Sequence, residues 1–196
     1  MQAQQVYKKA PFMKLAYSNS LEYSFFSEAK LQFERIVSHL EEKHVLHDEH
    51  GEVKAYINTE GTELLRCLFQ GFLDIKTAEE PRQQAFSDHD IALNYLKNNC
   101  KRNLESLFGT VTVHRKGYSQ RQCDSVFPMD GELNLSKDKY SDGVRLRLAT
   151  EAVKGSYDDA ISSIDTTTGA HIPKRQARQI VQDIAQDFDG FYLQHR

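Results

Sequence analysis

A chain of 196 residues with 39% hydrophobic and 27% charged residues is long enough to bury a sizeable core, and too ordinary in composition to be disordered or fibrous. A formal net charge of -3 excludes a uniformly basic nucleic-acid coat, so any affinity for nucleic acid must come from local patches. Residues 1–26 read as a flexible segment; its first twenty carry Lys8, Lys9 and Lys14 but no uninterrupted apolar run, so neither a signal peptide nor a membrane helix is expected. The expected location is the cytoplasm. Cys67, Cys100 and Cys123 are odd in number and form no CxxC pair, as in a chain of reduced thiols, and Cys67 sits among Leu64, Leu65, Leu68 and Phe69 as a core residue would.

Residues 27–80 predict a helical hairpin. Ala29, Phe33, Ile36, Val37 and Leu40 recur at helical spacing up to about Val45; after a polar turn, HDEHGE, a second pattern runs from Val53 to Ile75 and ends before Pro81. Gly61 and Gly71 fall inside that helix, where glycine is costly, and predict close packing or a bend. The polar stretch Thr77 to Ser87 is the best boundary. Residues 97–135 then read as a basic β-ribbon and loop. Val111 and Val113 alternate with Thr110, Thr112 and His114, Gly109 marks a bend after an earlier strand from Lys101 to Phe108, and Val126 to Met129 suggests a short third strand. From Lys97 to Arg121 six basic residues face one acidic one, so Lys101, Arg102, His114, Arg115 and Lys116 are candidate contacts to a nucleic-acid backbone. The same cations could equally guard an exposed sheet edge against strand pairing.

Residues 141–192 predict three helices ending in a helix-turn-helix. Ser141 caps the first and Gly155 ends it; Ser156, with Asp159 three residues on, caps the second. The Thr166, Thr167, Thr168, Gly169 run breaks that helix, with Gly169 supplying a left-handed residue, and Pro173 starts the third at its first helical position. Ala177, Ile180, Val181, Ile184 and Phe188 form its core face, leaving Lys174, Arg175, Gln176, Arg178 and Gln179 outward. Arg can fork onto guanine and Gln onto adenine, and a recognition helix meets bases with its first turns, so these five are the candidate base and phosphate contacts. An ordinary solvated helix face is the plainer alternative. The fold class expected is mainly α with a small β-ribbon, α+β.

Other constellations carry less. His39, His44, His47 and His50 crowd the end of the first helix, but interleaved Glu41, Glu42, Asp48 and Glu49 and the lack of a zinc spacing favour a solvated helix end. Asp187 and Asp189, two apart on a helix, do not share a face. No Gly-rich phosphate loop and no nucleophile triad is recognisable. Neither a metal, nor a cofactor, nor a catalytic residue is therefore assigned.

The blocks NLESLFGTVTVHRKGY (Asn103 to Tyr118), FPMDGELNLSKDKYSDGVR (Phe127 to Arg145) and KGSYDDAISSIDTTTGAHIPKRQ, followed by DFDGFY, resemble in order the upstream region of the ISKra-type insertion-sequence transposases. TELLRCLFQGFLDI is similar to a helix of that family, extending the resemblance from about Glu28 to the end. It implies a region that helps recognise the element's terminal repeats, followed by an RNase H-like domain whose acidic residues hold divalent metal. Arg196 falls before that domain would begin, so a non-catalytic, truncated portion is expected, with double-stranded DNA as partner, a possible homodimer, and a bacterial nucleoid-associated location. Related transposase groups carry a cysteine-pair zinc ribbon near the basic hairpin, whereas only Cys100 and Cys123 flank it here. A protein-interaction module whose helical hairpin dimerises, or an unrecognised cytoplasmic enzyme, are the alternative readings.

Overall fold

The computed structural model describes residues 25–82, 87–88, 91–92, 95–121 and 123–194; positions 1–24 of the expected flexible segment lie outside the described residues, as does the side chain of Phe188. The elements in order are α1 (Ser27–Leu40), a 3₁₀ turn (Val45–His47), α2 (His50–Glu79), β1 (Ser87–Asp88), β2 (Ile91–Ala92), β3 (Tyr95–Ser106), β4 (Gly109–Ser119), α3 (Pro128–Glu132), α4 (Asp142–Ala152), α5 (Tyr157–Thr167) and α6 (Lys174–Gln194). The protein is mostly helical with a small antiparallel β-hairpin, as expected of an α+β chain.

α1 and α2 form the expected antiparallel pair: Phe25 and Phe26 lie against Gly71, while further along α1 Gln32 donates from Nε2 to Glu60 at 2.7 Å. α1 stops at Leu40 rather than Val45, and α2 begins inside the HDEHGE stretch, because Glu49 and Glu52 cap one another's backbone there. At its other end α2 runs on to Glu79, so the boundary loop starts at Glu80 rather than at Thr77. The two glycines differ. A Cβ on Gly71 would stand 2.6 Å from the Phe25 carbonyl oxygen, so glycine there permits the crossing, whereas a Cβ on Gly61 would meet nothing within 4 Å.

β3 and β4 pair from Tyr95↔Ser119 to Ser106↔Gly109, with Leu107 and Phe108 as the turn and Gly109 at φ 116°, a value that favours glycine. The register slips between Lys97 and Cys100, where Asn99 takes φ 56°. α2 lies along the outer edge of β4 and satisfies its backbone with side chains. Gln70 accepts from Thr112 N–H at 2.8 Å and donates to Thr112 C=O at 2.9 Å, Thr77 donates to His114 C=O at 2.6 Å, and Glu80 accepts from Lys116 N–H at 2.7 Å. A helix therefore covers the edge that the basic side chains were expected to guard. The other edge is bridged by Glu105, whose N–H donates to Lys139 C=O at 2.7 Å and whose carbonyl accepts from Ser141 N–H at 2.9 Å. The third strand reduces to one bridge, Tyr118↔Val126, and the short helix α3 occupies Pro128–Glu132 instead, since Pro128 suits a first helical turn and has no N–H for a ladder. Leu73, Leu104, Val111, Val113 and Met129 make the core between α2, the hairpin and α3.

α4, α5 and α6 pack around a second core of Tyr140, Val144, Leu148, Ala160, Ile164, Ala170, Ile172, Ala177 and Ile180. Ser141 caps α4 by accepting from Val144 N–H, and Ser156 and Asp159 form the expected capping box on α5. Hydrogen bonds from Ser156 hold the exposed Asp159 carboxyl below the usual carboxylate range. Gly169 is not left-handed, contrary to expectation; among the described residues only Gly109 is a glycine with positive φ. Its lack of a Cβ serves approach instead: a Cβ there would stand 2.7 Å from Gly109 N and Phe108 C, and its N–H donates to Leu107 C=O at 2.8 Å. The tip of the hairpin is thus fastened to the α5–α6 connection. Pro173 flanks α6 one position early, its carbonyl accepting from Gln176 and Ala177.

Candidate nucleic-acid interface

The sequence-derived candidates separate once their partners are seen. Ala177 and Ile180, both buried, fix the inner face of α6, and the spacing leaves Lys174, Arg175, Gln176, Arg178 and Gln179 exposed on its first two turns. Lys174 Nζ pairs with Asp158 at 2.6 Å, an exposed pair of little energetic weight, and Gln179 donates to Asp183 at 2.9 Å. Gln176 is engaged more deeply, for its Oε1 accepts from the hydroxyl of Tyr140, a residue only 1% exposed in the loop before α4. Burial first, then the nearby Glu105 and Asp138, push the Tyr140 phenol up to about 12, so it is a neutral donor at physiological pH. Gln176 is thereby anchored to the trihelical core. Arg175 and Arg178 have no ion-pair or hydrogen-bond partner among the described residues.

The ribbon departs further from expectation. Arg115 is 8% exposed: its Nε stands 2.9 Å from Asp130 Oδ1, out of line for a hydrogen bond, and its guanidinium lies 4.1 Å above the Phe127 ring. Burial, with Asp130 opposing it, pulls this guanidinium below the usual arginine range without discharging it. Arg102 donates to the other oxygen of Asp130 at 2.9 Å and to the carbonyls of Ser136 and Asp138. Lys116 reaches the carbonyl of Glu80, and His114 Nδ1 lies 2.5 Å from Asn99 Oδ1. Lys101 remains exposed on the outer face. Arg102 and Arg115 are therefore corrected from backbone contacts to the two arms of an internal ion-pair cluster around Asp130, because they share the inward parity of Leu104 and of Val111 and Val113.

Asp130 and Tyr140 were missed as organising residues. A signal for the first was present: extending the alternation Val111, Val113 by one step puts Arg115 on the core face, where a buried cation requires a carboxylate. Tyr140 carried no comparable sign. Among the described residues, His39, Glu42 and His44 bring potential metal-ligand atoms within 4.8 Å of one another, which their spacing did not announce. The His39 ring is stacked 4.1 Å from Tyr56, and the side chains of His44 and Glu42 are 68% and 51% exposed. The three cysteines are free thiols, with Cys67 buried as expected.

The model of an uncharacterised protein family, UPF0236, matches residues 52–189, from the first turn of α2 through most of α6. The chain belongs to UPF0236. The matched span takes in α2, the hairpin with its Asp130 cluster and the trihelical unit, so within UPF0236 these parts form one continuous stretch. No curated protein and no solved structure matches the chain. No helix among the described residues is long and apolar enough to cross a membrane.

Proposed function

We propose that this protein binds double-stranded DNA through α6, as the non-catalytic, repeat-recognising portion of an insertion-sequence transposase of the kind its sequence resembles. One observation carries the reading. Arg66, Arg102, Arg115, Arg145 and Arg147 each form an ion pair, whereas Arg175 and Arg178, like the exposed Arg82 and Arg121, have no partner among the described residues, and of these four only Arg175 and Arg178 share the exposed face of a helix whose other face is locked in a core. Two cations three residues apart at the start of a helix match the geometry with which a recognition helix enters a major groove. Gln179 extends the surface, Lys101 on the ribbon is a separate candidate phosphate contact, and Gln176 orients α6 through Tyr140. In this reading the chain cuts no DNA and holds no catalytic metal, because strand cleavage belongs to the separate RNase H-like domain.

Fluorescence anisotropy on a labelled duplex carrying the element's terminal repeat, against a scrambled duplex and over a salt series, tests the reading. Arg175→Ala and Arg178→Ala should each weaken binding to the repeat by about 1–3 kcal/mol with little effect on the scrambled duplex. Lys101→Ala should weaken both alike and make the salt slope shallower by about one unit. Equal affinity of wild type and the double arginine variant for the repeat would remove α6 as the reader.

A further inference from the structure

α2 is used on two sides and left open on a third. Cys67 and Gly71 turn toward α1, while Gln70, Leu73 and Thr77 turn toward the β-hairpin and its core. On the remaining side Ile57 (46% exposed), Leu65 (45%), Leu68 (41%) and Phe72 (45%) stand in solvent at helical spacing. The antiparallel sense of the pair sets the α1 stripe of Phe33 (56%) and Val37 (36%) beside them, on the face of the helical layer away from the hairpin. Apolar side chains contiguous over two helices mark an interaction surface rather than ordinary surface scatter. Gly61 lies within the stripe with open space around it, leaving room for an incoming side chain.

We propose that this face is the interface with a second copy of the chain. The two helical hairpins stack face to face as a four-helix bundle in which α1 of one protomer lies antiparallel on α2 of the other. Charge points to a second copy. In that stacking the overlap is set by the 14 residues of α1, so two helices each about 10 Å wide are covered over about 21 Å, or about 400 Å² per protomer, the size of a weak, transient interface. The margin beside Phe33 and Val37 carries exposed Glu34 and Glu41, and the margin beside Ile57 carries exposed Lys54. The contacts Gln32 to Glu60 and His39 to Tyr56 place Glu41 at the level of Lys54 along the layer. A two-fold axis parallel to the helices keeps levels and exchanges sides, so it sets the acidic margin of each α1 against the Lys54 margin of its partner, twice over. The surface is self-complementary, and it is independent of the α6 surface assigned to DNA.

Sedimentation equilibrium of the full chain from 1 to 100 µM, without DNA, tests this. The expected result is a species of twice the 22.6 kDa monomer mass, with a dissociation constant in the micromolar range. Ile57→Glu with Leu65→Glu, both exposed in the protomer and level with α1, should give a monomer of unchanged far-UV circular dichroism. Lys54→Glu should weaken the dimer about tenfold, and adding Glu41→Lys to the same chain should restore it. A wild type monomeric at 100 µM, or a dimer that survives the double glutamate variant, would overturn the proposal. So would a full chain that stays monomeric while the chain lacking residues 1–24 dimerises, since that segment would then be the occupant of the face.

Discussion

Replacing Asp130 by alanine isolates the cluster at the base of the hairpin. Asp130 stands 2.9 Å from both Arg102 Nη1 and Arg115 Nε, with side-chain exposures of 21%, 14% and 9% for the three residues. At an effective dielectric of about 20, two charges about 4 Å apart attract by about 4 kcal/mol, most of which is spent on keeping the groups out of water. Removing the carboxylate leaves the desolvation and loses the attraction. Arg102 retains the Ser136 and Asp138 carbonyls, but Arg115 is left with only the face of Phe127, so one uncompensated guanidinium dominates the cost. Breaking a buried pair in this way costs about 3–5 kcal/mol, and the partial exposure of Asp130 places the expectation at the lower end, about 3 kcal/mol. Urea denaturation followed by circular dichroism should show the midpoint fall with an unchanged slope. Arg115→Met combined with Asp130→Leu fills the same space without a stranded charge and should recover at least half of the loss. A loss under about 1 kcal/mol for Asp130→Ala, or a double variant as unstable as the single one, would refute the account of Arg115 as a core cation held by Asp130.

Tyr140→Phe removes the hydroxyl that holds Gln176 and should cost about 1 kcal/mol near neutral pH. A phenol raised from 10.0 to about 12 contributes stability that is fully present below pH 10 and is lost as pH rises through 12. The unfolding free energy read from urea denaturation should therefore fall by an extra amount, on the order of 2–3 kcal/mol, in wild type and not in the variant over that window. Gly169→Ala puts a Cβ against backbone atoms of Gly109 and Phe108 that have no side-chain freedom to yield, and should lower stability by about 2 kcal/mol, read from the same denaturation curves. Ser156→Ala breaks the capping box of α5 and should cost about 1 kcal/mol by thermal melting, with the α6 surface unchanged.

Features written in local chemistry were legible in the sequence. Ser141 and Ser156 announce their helices because a capping oxygen acts within its own turn, and the Ala177, Ile180 face of α6 follows from spacing alone. The start of α2 was hidden because Glu49 is an uncommon N-cap, although it completes its box with Glu52 as serine would. Contacts between distant side chains and bare backbone left no trace, for nothing in Gln70 or Gly169 states that Thr112 or Leu107 will lie beside it. The ribbon shows the limit most clearly. Counting six cations between Lys97 and Arg121 treats them as one patch, whereas the two-residue alternation of a strand sends Lys101 outward and Arg102 and Arg115 inward to a shared carboxylate.

The seal that α2 places on β4 also has an order in time. Gln70 lies 42 residues ahead of Thr112, so during synthesis the helix that carries the amide leaves the ribosome well before the strand whose edge it closes. The hairpin consequently meets a waiting cover as it forms, and the bare edge that invites pairing with a neighbouring nascent chain is short-lived. A permuted chain in which β4 emerged first would reverse that order, with the same native contacts and a greater tendency to aggregate during expression.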